Sequence, residues 1–555
     1  MPSSIRKFGI HPDKLLLRSI GLFVTIPLLL FLVFPILIVF LKSFQLSDGG
    51  WGFANYTTTM VEKHFWVVVW NSLWLSINVT IVSVILGFGF AYAIQRSQMP
   101  GKRWFTIVAM LPMFAPSLLQ ALGLVFLLGR NGIINRWLNL DIEIYGFWGV
   151  FIADVIYAFP QAYMILSAAL AVADSRPYEA ARMLGANKRQ IFFDVTLPGI
   201  KFGLISSIFL VFTITITDFG NPMVIGGNFS VLATEIYNQV SGQMNFNLGS
   251  VISIILLIPV VIAFTIERFA GRKQEAFIPD NVDPLVPRKN PLLDTCMFTY
   301  SSILCGIIVL VVTIVVYASF VKLWPYNMSF TLDNYKFDSQ GGYAPLITSV
   351  IVSLMAAFIG VLLVFGSAYV VNKCKGVMVD LLNFFSILPA AIPGMVLGLA
   401  YIFFFNDPSN PLNVLYGTVF ILAINSVYHY SAQGFLTAST SLQQISTNFD
   451  ETSACLGASL LTTIKRVTLP ILLPSILSVA VFFFMRTMVT LAAVIFLVSP
   501  SVNLAAVSVM LLDDAGNTTQ AAAYSTLIIL VVLIALLLLN ILLKIFKVKT
   551  KSLIS

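Results

Sequence analysis

Apolar runs of roughly 20 residues recur along the chain and constrain its fold more than any other feature. A run of that length crosses a lipid bilayer as a helix, because the bilayer core accepts only backbones whose polar groups are satisfied internally. With 58% apolar and 10% charged residues, the composition excludes a soluble globular protein. We therefore predict an all-α polytopic membrane protein with about 12 transmembrane helices. The predicted spans are 19–41, 68–95, 104–129, 147–173, 202–225, 249–267, 296–321, 345–372, 379–405, 414–438, 473–497 and 522–546.

Positive charges lie mainly in the segments on one side of the predicted spans. The basic residues before the first span, between alternate spans and after the last span fall on the cytoplasmic side if the N-terminus is inside. The distribution therefore predicts that both termini are cytoplasmic. It also accounts for the net charge of +8, so we expect no nucleic-acid partner.

One polar stretch occurs twice, each time between apolar segments. The first copy, EAARMLGANKRQIFFDVTLP, runs from Glu179 to Pro198, and the second, ETSACLGASLLTTIKRVTLP, runs from Glu451 to Pro470. In both copies a glycine follows the glutamate by 6 residues, and Thr-Leu-Pro closes the stretch. This pattern predicts a short helix that ends at a glycine turn, a form suited to docking a partner protein. The first helix would take Asp174 or Ser175 as its N-cap.

The repeat extends beyond this stretch. Leu-Pro-x3-Pro occurs at 111–116 and 388–393, and the pattern that begins at Asp154 returns from Asn425 at nearly the same offset. The proline pairs predict bends, either as hinges or as fixed kinks. We predict a first repeat at 1–268, a cytoplasmic linker at 269–294 and a second repeat at 295–555. Six spans in each half make the two repeats parallel.

The repeated stretch resembles the cytoplasmic coupling loop of ABC importer permeases, whose motif is E-A-A-x3-G-x9-I-x-L-P. The first copy matches with valine in place of isoleucine, whereas the second has Thr452-Ser453 in place of Ala-Ala. The resemblance implies the type I ABC importer permease fold, with coupling loops at 174–200 and 446–472. It implies that the following residues couple the chain to separate ATPase subunits: Glu179, Ala180, Ala181, Gly185, Leu197, Pro198, Glu451, Gly457, Leu469 and Pro470.

The same resemblance implies the partners and the cargo. ABC ATPase subunits, expected as a homodimer, bind the loops, and an extracytoplasmic substrate-binding protein delivers cargo at the bacterial inner membrane. Stretches at 217–237, 322–335, 392–418 and 511–523 resemble fused two-repeat permeases of the 2-aminoethylphosphonate and ferric-iron group. We favour 2-aminoethylphosphonate as the cargo, with ferric iron as the alternative. The departure at Thr452-Ser453 leaves open whether both loops dock equally strongly.

The sequence offers little support for chemistry within this chain. It has no GxxxxGK[ST] phosphate-binding loop, so we expect ATP hydrolysis in partner subunits and no enzymatic activity here. The 3 histidines are scattered and the 4 cysteines have no metal-ligand spacing, so we expect no cofactor and no metal site. A secondary transporter of major-facilitator type is the alternative class, but it does not account for the paired polar stretches.

Three ionisable residues fall within predicted spans, where charge is costly and often functional. Asp154, Asp218 and Arg486 are therefore candidates for the translocation pathway. Arg486 either attracts an anion or pairs with an acid between helices. Asp218 either contacts cargo or caps a turn.

Overall fold

The computed structural model describes residues 12–46, 49–276, 285–287, 289–337, 341–446, 448–499 and 501–545. Helices dominate these residues, which confirms the predicted all-α class. One two-stranded antiparallel sheet pairs Val321–Leu323 with Asn327–Phe330, with Val321 opposite Phe330.

One compact unit falls within Leu46–Gln340 and Ser508–Ile529 and contains most of the first half. Its most extensive helix packing is between two apolar helices, Lys63–Arg96 and Phe147–Ala171. Their close approach depends on Gly87, where an added Cβ would stand 2.8 Å from the Ala162 Cβ. The α-helices of this unit are Ala54–Val61, Lys63–Arg96, Lys102–Ala109, Leu118–Leu128, Ile133–Leu138, Phe147–Ala171, Arg176–Met183, Lys188–Gln190, Leu197–Gly199, Lys201–Ile216, Gly220–Ile225, Leu232–Tyr237, Phe246–Ala276 and Pro291–Ser319.

A second compact unit falls within Met1–Gln45, Gly341–Val507 and Leu530–Thr550. Glycine again allows close packing, because Gly360 and Gly434 both lie against the ring of Phe483. The α-helices of this unit are Pro12–Leu28, Phe34–Ser43, Ala344–Lys373, Val377–Ile387, Gly394–Phe405, Val419–Gln443, Asn448–Cys455, Leu460–Thr463 and Leu469–Met488. Two further helices, Ala505–Asp514 and Thr518–Ile545, contribute residues to both units.

Each unit includes the first helix of the other half of the chain. In the second unit, Phe34–Ser43 packs against Gly394–Phe405, and the Tyr401 hydroxyl donates a 2.7 Å hydrogen bond to the Phe31 carbonyl. In the first unit, Pro291–Ser319 packs against Leu118–Leu128. The linear halves therefore exchange their first helices when they pack.

The count of membrane helices differs from the predicted number. By length and composition, the described residues contain 9 helices able to cross a membrane, or up to 11 if each of 2 bent helix pairs is one span. The predicted span at 414–438 corresponds to the helix Val419–Gln443, whose polar side chains lower its mean hydropathy below that of the 9 membrane-crossing helices.

The proline pairs break the helices that contain them. Around Pro112, a 3₁₀ turn at Leu111–Phe114 separates two α-helices. Around Pro389, a 3₁₀ turn at Leu388–Ala391 precedes a bend of 113°. Both breaks follow from the missing proline N–H and its ring, which interrupt helix hydrogen bonding.

The region predicted as a linker is helical at both of its edges. The helix Phe246–Ala276 continues past residue 268, and the helix Pro291–Ser319 begins before residue 295. Residues 277–284 and 288 of the predicted linker lie outside the described residues.

Candidate functional site

The first repeated stretch begins within a short helix, Arg176–Met183, which we call the first loop helix. At its start, the Asp174 carboxylate accepts a 3.1 Å hydrogen bond from the backbone N–H of Arg176. Of the two predicted capping residues, Asp174 therefore supplies the side-chain bond. Pro177 lies in the first turn, where its missing N–H costs no helix hydrogen bond.

The second repeated stretch begins within a helix of the same length, Asn448–Cys455, which we call the second loop helix. Glu179 and Glu451 are each the fourth residue of their loop helix, and both are exposed. Ala180 is exposed and Ala181 is partly exposed on the first loop helix. The predicted coupling residues at the start of both stretches therefore lie on accessible helical surfaces.

Both loop helices end at a glycine in the left-handed region. Gly185 has φ of +80° and Gly457 has φ of +69°. The backbone N–H of Ala186 donates to the carbonyl of Ala181 at 2.9 Å, and Ala458 donates to Ser453 at 3.0 Å. This pairing is the hydrogen-bond pattern that closes a helix at a glycine. Glycine has no Cβ to penalise positive φ, so the turn forms without strain.

The chain re-enters helical structure in the same way in both copies. Asn187 Oδ1 accepts from the Gln190 N–H at 2.9 Å, and Ser459 Oγ accepts from the Thr462 N–H at 3.4 Å. A π-helical turn follows in each copy and leads directly to Leu197-Pro198 or Leu469-Pro470. The two prolines lie in the first turn of their helices, where proline is tolerated.

Two exposed leucines were not among the predicted site residues. Leu184 is 88% exposed and Leu456 is 81% exposed, each directly before its turn glycine. Met183 beside Leu184 is 90% exposed. Exposed apolar side chains at equivalent places on two short helices are suited to filling pockets of a partner. The shared Leu-Gly pair was the signal in the sequence that could have identified them.

Two of the predicted pathway residues lie together in the first unit. Asp154 is 1% exposed and Asp218 is 8% exposed, and both carboxyl groups accept hydrogen bonds from Asn221. The Asn221 side chain donates to Asp154 Oδ1 at 2.8 Å, and its backbone N–H donates to Asp218 Oδ2 at 3.0 Å. Asn221 therefore joins the two buried carboxyl groups through its side chain and its backbone.

Asn221 is the bridging residue that the sequence analysis did not single out. It is fully buried, and its side-chain Oδ1 accepts a 3.2 Å hydrogen bond from the Ala121 backbone N–H. Asp218 also caps the start of the helix Gly220–Ile225 through the Asn221 N–H. The capping role of Asp218 is thus seen directly, whereas a pathway role for the acid pair stays a prediction.

Arg486 belongs to the second unit and stacks on an aromatic ring. Its guanidinium carbon lies 4.9 Å from the centre of the Tyr430 ring, within the range of a cation–π interaction. The Tyr430 hydroxyl in turn donates to Thr490 Oγ1 at 3.2 Å. These contacts orient the arginine, and its predicted place in the pathway remains a prediction.

Comparison with known proteins identifies the family. The family described as "Binding-protein-dependent transport system inner membrane component" matches the chain twice, at residues 83–274 and 367–552. These two matches confirm the internal repeat, and each of them includes one loop helix and its glycine turn.

Individual relatives extend over most of the chain. It is 30% identical to the ferric transport system permease protein FbpB of Actinobacillus pleuropneumoniae over 92% of this chain and 76% of that protein. It is also 30% identical to FbpB 1 of Haemophilus influenzae, whose name likewise refers to ferric transport, over 88% of this chain and 78% of that protein. A sulfate transport system permease protein, CysW of Synechocystis, is 27% identical over 46% of this chain and 94% of that protein. The chain therefore belongs to the binding-protein-dependent transport system inner membrane components, as a multi-pass ABC importer permease with two repeats of the family domain.

Proposed function

We propose that this permease imports ferric iron and that its two loop helices dock onto two separate ATPase subunits. The observation that supports docking is the pair of exposed loop helices, each ending at a left-handed glycine after an exposed leucine. ATP-driven closure of the ATPase pair then moves the two helices, and the membrane helices respond by opening to the outside. Because the loop helices have equal lengths and matched turns, a homodimeric ATPase with two identical grooves suits them.

The cargo assignment follows the names of the relatives that cover most of the chain. Two proteins at 30% identity are named for ferric transport. The 2-aminoethylphosphonate favoured by the sequence resemblance has no support among these relatives, so ferric iron becomes the proposed cargo. An extracytoplasmic binding protein delivers the iron, in keeping with the description of the family.

The test uses the permease in nanodiscs with its ATPase and with candidate binding proteins. Iron-loaded binding protein should stimulate ATP hydrolysis, whereas the same protein without iron should stimulate it weakly. Stimulation by a binding protein loaded with 2-aminoethylphosphonate, and none by the iron-loaded form, would contradict the proposed cargo. It would leave the docking proposal intact.

The chain provides its own probe for the side on which the loops lie. Cys455 is an exposed free cysteine at the end of the second loop helix. Met183 occupies the same place at the end of the first loop helix. With both termini and both loops proposed to be cytoplasmic, a membrane-impermeant maleimide should label Cys455, or a Met183→Cys variant, only in inside-out vesicles. Labelling in right-side-out vesicles would refute this orientation.

A further inference from the structure

A side-chain pair joins each loop helix to a long apolar helix. In the first unit, the guanidinium carbon of Arg96 lies 5.6 Å from the centre of the Tyr178 ring. Arg96 is the last residue of the helix Lys63–Arg96, and Tyr178 belongs to the first loop helix. Both residues are buried, at 9% and 5% exposure. A cation–π contact in such a desolvated place is stronger than one at the surface.

The second unit has an ion pair at the corresponding place. The Lys373 ammonium contacts the carboxylate of Asp450. Lys373 is the last residue of the helix Ala344–Lys373, and Asp450 belongs to the second loop helix. Their side chains are 26% and 32% exposed, so water and salt reach this pair more easily than they reach Arg96 and Tyr178.

The two pairs occupy equivalent structural positions. Arg96 and Lys373 each end a long helix, and Tyr178 and Asp450 are each the third residue of a loop helix. The next residue in each loop helix is the glutamate of the repeated stretch. The halves therefore keep a contact at this point with different chemistry, which indicates that the mechanical connection matters more than the kind of bond.

Arg96 also binds a third element. Its Nη2 donates a 2.8 Å hydrogen bond to the carbonyl of Leu170, close to the end of the helix Phe147–Ala171. That helix leads into the first loop helix. Arg96 thus joins the long helix, the helix that enters the loop and the loop helix itself.

We propose that the Arg96–Tyr178 and Lys373–Asp450 pairs are latches that transmit movement of the loop helices to the transmembrane helices. This inference rests on the proposed docking of the loop helices. Without a latch, a short helix between a glycine turn and a connecting segment could tilt independently of the transmembrane helices. Closure of the ATPase pair would then move the loop helix without moving the transmembrane helices. The four residues are proposed to act through the helices that they join, so we class them as positioning residues.

The latches differ in strength, and this difference predicts an order of effects. Loss of a buried cation–π contact corresponds to a change of roughly 2- to 30-fold in the latched population. Loss of a partly exposed ion pair corresponds to a change of about 5-fold at most. Raising the salt concentration weakens the second latch and spares the first, because the tyrosine carries no charge to be screened.

The first experiment measures the latch without reference to cargo. The native Cys374 and Cys455 lie beside Lys373 and at the end of the second loop helix, and both are free cysteines. Spin labels on these two cysteines, with Cys296 and Cys305 replaced by serine, report the distance between the two elements. In the assembled transporter this distance should stay narrow and unchanged between the nucleotide-free and ATP-bound states.

Lys373→Met should broaden the distance distribution and let it change with ATP. The exchange of charges in Lys373→Asp with Asp450→Lys should restore the narrow distribution, which a general folding defect would not allow. In the first unit, labels at Ser97→Cys and Met183→Cys serve in the same way. In this unit, Tyr178→Ala should broaden the distance distribution between the labels. Tyr178→Phe keeps the aromatic ring and should leave the distribution narrow.

The second experiment measures iron transported per ATP hydrolysed in proteoliposomes. Tyr178→Ala should lower this ratio roughly 2- to 30-fold while ATP hydrolysis continues. An unchanged ratio, together with distance distributions like those of the original protein, would overturn the latch. Glu179→Lys separates the two proposals: if that variant also transports normally, the docking proposal itself is wrong, and if it is inactive, only the latch fails.

Discussion

The glycine turn at the end of the first loop helix allows a test that depends on backbone conformation alone. Gly185 has φ of +80°, and an added Cβ would meet no atom within 4 Å. Gly185→Ala therefore introduces no clash and changes only the cost of the left-handed conformation. That cost is about 1–2 kcal/mol for an L-residue, which corresponds to a roughly 5- to 30-fold smaller population of the correctly turned loop.

Binding-protein-stimulated ATP hydrolysis in nanodiscs should fall by this factor in Gly185→Ala, because the loop helix would leave its docking orientation. Gly185→Asn should lose less of the stimulated ATP hydrolysis than Gly185→Ala, since asparagine tolerates the left-handed region better than alanine. Gly185→Pro should abolish coupling, because the proline ring fixes φ near −65°, although the protein should still insert into the membrane.

Gly199 gives the matched control. It lies in the same loop at the end of the short helix Leu197–Gly199, and a Cβ there would also meet no atom within 4 Å. Its φ is not in the left-handed region. Gly199→Ala should therefore keep full activity. Equal losses in Gly185→Ala and Gly199→Ala, or no loss in either, would refute the argument from backbone conformation.

Three further predictions concern single side chains. Glu179→Lys should abolish transport without reducing the amount of permease in the membrane, measured by uptake and by immunoblot; normal uptake would remove this glutamate from the docking surface. Asn221→Ala should lower the free energy of unfolding of the purified permease by about 1–3 kcal/mol, because it removes the buried amide that donates to Asp154 while the backbone N–H that binds Asp218 remains; an unchanged free energy of unfolding would contradict the bridging role of this amide. Burial, with the neighbouring Asp514 carboxylate, raises the pKa of Asp513 from 3.8 to about 7, so the folded state retains a proton that the unfolded state releases. Thermal stability should accordingly fall as the pH rises from about 4 to 7, and Asp513→Asn should remove that decline; parallel pH profiles would contradict it.

Local patterns in the sequence were sufficient to predict the loops. The capping acid, the terminal glycine and the proline re-entry each act within a few residues of the chain, so their effect can be derived from residue type and spacing. Asp174, Gly185 and Gly457 accordingly behave in the structure as the pattern indicated. The proline breaks near Pro112 and Pro389 were predictable for the same reason.

Contacts between distant segments could not be derived in this way. The exchange of first helices depends on which apolar helix faces fit together. The spacing of apolar residues predicts a helix but does not show which other helix it packs against. The link from Asn221 to Asp154 joins residues 67 positions apart, through an amide that is unremarkable in the sequence. Charge within the predicted spans points to the two acids, whereas nothing in the sequence marks the neutral side chain that joins them.

The equivalence of the two latch pairs is visible in the structure but not in the sequence. In the sequence, Arg96 with Tyr178 and Lys373 with Asp450 share no pairing rule, because one pair is a cation with an aromatic ring and the other is a cation with an acid. In the structure, each cation ends its long helix and each partner is the third residue of a loop helix. If the contact served stability alone, each half could equally well place its bond elsewhere along the same helices. Two chemically different contacts occur at the equivalent position in the two halves. A requirement for a rigid connection between the loop helix and the membrane helix explains this better than stability alone. Replacing the second pair by Lys373→Arg with Asp450→Tyr tests this directly: transport should persist, and it should become less sensitive to salt.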